Sequence, residues 1–365
     1  MPNIFCRLFL GVMIFSFMTI ACKKSKNNAI VNLSSEENTQ FYKSVLADLS
    51  ANVIVNTYND LKDKSIIFYF SCKTFSLSPT VTNLNACKQN WKDVRGAWEQ
   101  SEGFLFGPVS IDNIDPRIDT WPVNFIRIDS VLNSSATYDS TYIASLEDGL
   151  KGFHPIEYLL FGNNGAKNET QFTTREKDLL ISLSLNLNYL CSDLYSKWDI
   201  NKPNSYHDYL SQAGNANNAI FPNLKSAYDQ ILDAMISICD EVPNGKIAEP
   251  FNAQNPALEE SPFAKNSLVD FTNNIKSVQN IYLGAYAYTD GKGLEDIIKQ
   301  GNLSMDGVIK QKLSAALTSL NNISIPFGLA ISQQQTQIQN AIITINDLKT
   351  YLETTVKPYV QSLVQ

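Results

Sequence analysis

The sequence predicts an all-α protein of two helical-bundle domains packed together, preceded by a lipoprotein signal peptide. Three observations carry the helical expectation. Apolar residues recur every three or four positions over most of the chain, as in the stripe Leu179, Leu183, Leu187, Leu190 and Leu194. No stretch alternates apolar and polar residues with period two between turn signals. Pro and Gly separate the periodic runs, at Pro79, Gly107-Pro108, Pro243-Asn-Gly, Asp290-Gly and Ile325-Pro326.

At the N-terminus, Arg7 precedes an apolar run from Leu8 to Ala21. The run is too short for a spanning helix, which needs about 20 residues, and reads as a secretory signal over residues 1–21. Thr19-Ile20-Ala21-Cys22 resembles a bacterial lipoprotein processing site with Cys22 as the lipidated residue. Thr19 departs from the usual aliphatic residue, so plain secretory cleavage is the alternative. Lipidation would tether a globule to a membrane without crossing it. Residues 22–34, rich in Lys, Asn and Ser, read as the tether.

The first domain is expected over 35–205. Glu36-Glu37 supplies acid to a first helical turn, and helical spacing continues through Leu61. Leu84, Cys87, Trp91, Val94 and Trp98 mark an amphipathic helix over 84–98. An Asp- and Pro-containing loop covers 111–122, with helical stretches over 123–133, 139–150 and 174–198. Residues 201–218, rich in Asn, Ser, Gly and Pro, read as a connection into the second domain, 206–365. There, helix patterns fit 219–241, 264–288, 304–320 and 332–362.

The composition narrows the function classes. With 365 residues, 44% hydrophobic and 18% charged, the chain is neither disordered, collagen-like nor a multi-span membrane protein. Acidic residues outnumber basic ones, 36 to 29, which leaves no electrostatic footprint for nucleic acid. Two His residues exclude chemistry that needs a histidine cluster. Beyond Cys6 and Cys22 stand Cys72, Cys87, Cys191 and Cys239. In an oxidising compartment these can form two disulfides, with Cys72–Cys87 the preferred local pair, or remain buried thiols. No C-x-x-C spacing supports a zinc knuckle.

Chemistry concentrates in Gly152-Phe-His154-Pro-Ile-Glu157. His154 and Glu157 share a helix face at spacing i, i+3, and an imidazole beside a carboxylate can ligate a metal. Pro155 suits a first helical turn, which puts His154 where loop meets helix. The alternative is structural, with His154 capping the helix and Glu157 on a solvated turn.

The hexapeptide resembles the Gly-x-His-x-x-Glu motif of the imelysin family, exported bacterial proteins also classed as peptidases. Two further blocks carry the resemblance. Trp98-Glu-Gln-Ser-Glu102-Gly-Phe-Leu-Phe-Gly-Pro followed by Asp115-Pro-Arg-Ile-Asp119-Thr-Trp121-Pro122 is similar to the family's Ser/Thr-Glu-x-Phe-x-Phe-Gly and Trp-Pro pattern. Glu260-Ser-Pro-Phe-Ala-Lys-Asn-Ser267-Leu-Val-Asp270-Phe is similar to its Glu-Ser-x-Phe-Ser segment. The resemblance implies two helical domains with His154 and Glu157 near their interface, in an iron-regulated, cell-envelope setting. It implies His154, Glu157, Glu102 and Asp119 as metal ligands, with Gly152, Arg127, Ser261 and Ser267 lining the cleft. Each has a plainer alternative: Glu102 paired with Arg95 or Arg127, Asp119 capping a turn before Pro122, and the serines as N-caps.

Three functions remain open. A metallopeptidase is the runner-up: H-E-x-x-H is absent, H-x-x-E-H fails at Tyr158, and no G-x-S-x-G element is present. His207 lies in a polar connector and reads as surface. The leading expectation is an exported, membrane-anchored envelope lipoprotein, periplasmic or surface-facing. It would bind iron, or an iron source, at the domain interface for uptake with an iron-transport component. Copper and zinc also suit the ligand types, and haem would use His154 as an axial ligand without other support. The third class is a scaffold or adhesion module without metal.

Overall fold

The periodic stripes fold as long helices because each buries one apolar face against its neighbours. Residues 35–123 and 125–364 are described by the computed structural model. The expected signal, tether and lipidation residue Cys22 lie outside the described residues. Among those described, no helix is long and apolar enough to cross a membrane.

The helices Asn56–Leu77, Val81–Glu99 and Thr174–Trp198 pack side by side in the first half. Thr80 caps the second of them, its hydroxyl accepting the Asn83 N–H at 3.2 Å. A capping box of Thr173 and Glu176 opens the third. The helix expected to end near Leu61 continues to Leu77 through a π-helical stretch, Leu49–Val55.

In the second half, Leu224–Glu241, Ser267–Leu283, Leu303–Asn321 and Gln335–Tyr351 form the main bundle. The run expected to be helical over 264–288 stops at Leu283. Gly284 adopts φ +72°, and a Cβ there would overlap the backbone at Lys292, so the chain turns left-handed and leaves the helix. A minimal antiparallel pair follows, Ala285 opposite Asp290 and Tyr286 opposite Thr289. The 332–362 run divides at a π-helical stretch, Leu352–Val356, just before Pro358, whose ring and missing N–H do not fit a regular α-helical interior. Leu294–Gly301 is a helix the spacing did not reveal, and Tyr206–Ser211 is a short helix within the expected connector.

The expected halves meet where Val81–Glu99 packs on Ser267–Leu283. The four described cysteines are buried free thiols, so the expected Cys72–Cys87 disulfide is not formed. Burial, with Cys87 alongside, pushes the Cys72 thiol well above its ordinary pKa, and both sulfurs are packed as small apolar groups.

Candidate metal centre

The motif is placed by a glycine. Gly152 has φ +85°, and a Cβ on it would overlap the carbonyl oxygen of Ile118. Only glycine lets the chain cross that carbonyl and enter the helix Phe153–Phe161. The Trp91 indole N–H donates to the Phe153 carbonyl at 3.1 Å, tying the start of this helix to Val81–Glu99. Pro155 lies in the first turn, where no N–H is needed. His154 is completely buried, its ring 4.8 Å from the Trp121 ring, centroid to centroid.

Asp119 ends a short helix, Asp115–Asp119, directly after the carbonyl that Gly152 crosses. Its Oδ2 accepts the Trp98 indole N–H at 2.6 Å. Its Oδ1 accepts from Arg95 and stands 3.0 Å from His154 Nε2. Arg95 is the hub. Its guanidinium is fully buried, 2.6 Å from Glu99 Oε1, 2.7 Å from Glu260 Oε1 and 3.8 Å from Asp270 Oδ1, and it lies over the Phe153 ring. Lys246 supplies a second cation, 3.1 Å from Glu102 Oε2 and 3.3 Å from Glu260 Oε1.

Glu157 performs a different task from His154. Its Oε1 accepts the backbone N–H groups of Phe263 and Ala264 at 3.0 and 2.7 Å, clamping the 259–266 loop onto the motif helix. Its Oε2 stands 3.5 Å from His154 Nδ1. Behind that loop, Ser261 Oγ donates to Asp270 Oδ2 at 2.6 Å, and Ser267 Oγ donates to Glu259 Oε2 at 2.8 Å. Asn274 donates to Glu99 Oε2 at 2.6 Å and to Glu102 Oε2 at 2.9 Å.

Packing Glu99, Glu102, Asp119, Glu260 and Asp270 around Arg95 and Lys246 leaves an excess of acid in a dry interior, and proton affinities respond. Burial raises Glu99 to about 8 and Asp270 to about 6 against the pull of Arg95. Burial and the neighbouring Glu99 push Glu102 well up. Burial opposes ionisation of Asp119 and Glu260 too. The Arg95 guanidinium and His154 hold Asp119 far below the carboxylate range, and Lys246 and Arg95 lower Glu260. Burial and Arg95 disfavour a charged His154, but Asp119 and Glu157 outweigh them and lift it to about 9.

The donor set fits a transition-metal ion. Asp119, His154 and Glu260 each offer one atom, all within 4.8 Å of one another, and Glu99, Glu102 and Asp119 form an overlapping all-carboxylate set. His154 Nε2 is 3.9 Å from Glu260 Oε1. Donors about 2.1 Å from a common ion stand roughly 3–3.5 Å apart, so Glu260 would have to close toward His154 to share one. Both ring nitrogens of His154 and Glu157 Oε2 are buried without an aligned hydrogen bond. Asp119 Oδ1 keeps a second lone pair beside its bond to Arg95, whereas Glu260 Oε1 accepts from both Arg95 and Lys246. A cleft of about 270 Å³ leads to these groups, with Glu102, Asp119 and Glu260 among its lining and Asp115, Glu241 and Glu249 adding further acid.

Of the residues expected from sequence, His154, Asp119, Glu102 and Glu157 come together, with Gly152, Ser261 and Ser267 supporting them. Glu157 belongs to neither donor set among the described residues, whereas Glu260 belongs to the one that contains His154. Arg127 does not line the centre: half exposed, it pairs with Glu147. His207, expected at the surface, is half-buried with Nδ1 2.9 Å from Ser50 Oγ, and burial lowers its pKa. Arg95, Glu99, Lys246, Glu260, Asp270 and Asn274 were not singled out as site residues. The first two had a legible signal, charges at 95 and 99 on a helix whose neighbours Trp91 and Trp98 are buried. Lys246 had none, since Pro243-Asn-Gly reads as a turn.

Comparison with known proteins agrees with this architecture. The Imelysin peptidase family profile matches residues 54–354. Iron-regulated protein A of Synechococcus elongatus is 28% identical over 316 residues, covering 85% of this chain and 84% of the relative. The crystal structure of an iron-regulated protein A precursor from Parabacteroides distasonis superposes with TM-score 0.79 at 25% identity, over 90% of this chain and 96% of that one. An imelysin-like protein from Psychrobacter arcticum shares the fold, with TM-score 0.70 at 14% identity over the same shares. A match across most of the chain, with the Gly-x-His-x-x-Glu segment at the core of the buried cluster, establishes that this chain belongs to the imelysin family.

Proposed function

We propose that the chain is an exported, lipid-anchored envelope protein that binds iron for uptake at the Asp119–His154–Glu260 centre and passes it to a transport component. One observation carries the reading: two carboxylates and an imidazole converge within 4.8 Å, with both imidazole nitrogens lacking an aligned hydrogen bond. An imidazole among carboxylates suits iron better than calcium or magnesium, which favour all-oxygen shells, and the absence of a sulfur donor from the set disfavours Cu(I). The name of the Synechococcus relative, iron-regulated protein A, supports iron as the first metal to test. The apolar run before Cys22 supports export and anchoring.

The test is metal analysis with anaerobic Fe²⁺ titration of the protein from residue 22 onward, beside Zn²⁺ and Cu²⁺. One equivalent of Fe²⁺ is expected, weakened by about tenfold or more in His154→Ala and Asp119→Asn. A wild-type protein that takes up none of the three ions would overturn the reading.

A further inference from the structure

We propose that Lys246 is an internal counter-cation, seated in the centre of the metal-free protein and displaced toward Glu241 when a metal ion enters. The proposal rests on the metal-binding reading above and adds that loading is an exchange of one cation for another.

The Lys246 ammonium sits where an incoming cation must compete with it. It lies 3.1 Å from Glu102 Oε2, 3.3 Å from Glu260 Oε1 and 3.9 Å from Glu99 Oε2, so it touches carboxylates of both donor sets. The same Glu260 Oε1 faces His154 Nε2. An ion bound there and an ammonium at its present distance would repel strongly in so dry a site.

Of the two cations at the centre, Arg95 and Lys246, it is Lys246 that has a way out. Arg95 has no exposed surface, is held by Glu99, Asp119 and Glu260 together, and lies over Phe153. Lys246 carries its charge on a flexible four-carbon stem. Its ammonium is already 3.9 Å from Glu241 Oε1, whose side chain is 55% exposed. It rises from the π-helical stretch Val242–Ile247 and lines the acidic cleft together with Glu241 and Glu249. A short swing would leave the ammonium paired with Glu241 and free the Glu102 and Glu260 oxygens.

Zn²⁺, a redox-inert probe, tests this by calorimetric titration and thermal melting of the protein from residue 22 onward. Lys246→Met is expected to bind Zn²⁺ about tenfold more tightly than wild type, and to melt lower without metal, because the acidic cluster loses its counter-ion. Glu241→Gln and Glu249→Gln each remove one acidic charge from the cleft, but only Glu241 contacts the ammonium. Glu241→Gln is therefore expected to weaken Zn²⁺ binding more than Glu249→Gln, a comparison that stands even if Lys246→Met folds poorly. Wild type binding as tightly as Lys246→Met, or equal effects of the two glutamate variants, would overturn the exchange while leaving metal binding intact. Absence of Zn²⁺ binding in wild type and Lys246→Met alike would overturn the exchange, and the metal-binding reading falls with it when Fe²⁺ and Cu²⁺ are refused as well. Binding only after Lys246→Met would support the ammonium as the occupant.

Discussion

His154 Nε2 stands 3.0 Å from Asp119 Oδ1, and the two residues are held together by the crossing of Gly152 over Ile118. Gly152 passes over the carbonyl of Ile118, the residue before Asp119, at a distance that excludes any side chain. The glycine of the motif therefore sets the spacing between a histidine two residues after it and an aspartate more than thirty residues before it.

Gly152→Ala is accordingly expected to fail twice. A Cβ at φ +85° is strained and meets the Ile118 oxygen, which together destabilise by about 2–4 kcal/mol. Separating the two segments also parts His154 from Asp119. Thermal melting and metal titration of this one variant should show both losses, and a variant that melts like wild type would contradict the close crossing.

Arg95→Met should be among the most destabilising single changes. It leaves Glu99, Asp119 and Glu260 buried without their shared cation, at a cost of about 3–5 kcal/mol in urea unfolding. Lysine at this position should rescue only part of the loss, because an ammonium lacks the planar fork that reaches several carboxylates.

The two tasks of Glu157 can be separated. Glu157→Gln keeps an oxygen to accept the Phe263 and Ala264 N–H groups but removes the charge beside His154. Glu157→Ala leaves two buried N–H groups without a partner, about 1–3 kcal/mol each. Unfolding should thus be near wild type for the glutamine variant and clearly easier for alanine, with local hydrogen exchange rising at 263–264. Equal destabilisation by the two would mean that the clamp is not what Glu157 contributes.

The metal-free protein should lose stability as pH rises from about 6 to 9. Against burial and Arg95, Asp119 and Glu157 hold His154 near 9, above its ordinary 6.5. Its contribution is therefore complete below about 6.5 and disappears as pH climbs through 9. Burial places Glu99 near 8 and Asp270 near 6, each above its ordinary carboxylate value, so the folded state holds those protons too and weakens as they leave. Asp119 and Glu260 are shifted the other way and lose their contribution only on the acid side. Melting temperatures over pH 5 to 9 check the sign, and a rising profile would contradict it. Metal affinity should rise over the same range, since binding displaces protons.

The helical class was readable because helical periodicity is local: the stripe ending at Leu194 and the stripe around Trp91 and Trp98 became the helices Thr174–Trp198 and Val81–Glu99. Boundaries were less readable where a distant residue decided them, as at Gly284, whose conformation answers to the backbone at Lys292. The His154–Glu157 pair and Asp119 were legible from spacing and resemblance. Their division of labour was not, because the N–H groups that occupy Glu157 come from a loop about a hundred residues away.

By itself, the sequence determined an all-α chain, a glycine-led His-x-x-Glu turn and the scarcity of histidine that singled out His154. Only the tertiary structure decided that Arg95, Lys246 and Glu260 join it. Arg95 and Glu260 are separated by 165 positions, yet their side chains meet at 2.7 Å. Helical spacing reports neighbours three and four residues apart. Which buried charges share an oxygen is settled when whole helices pack and water is excluded, and there the acid excess at the centre first becomes a property of the protein.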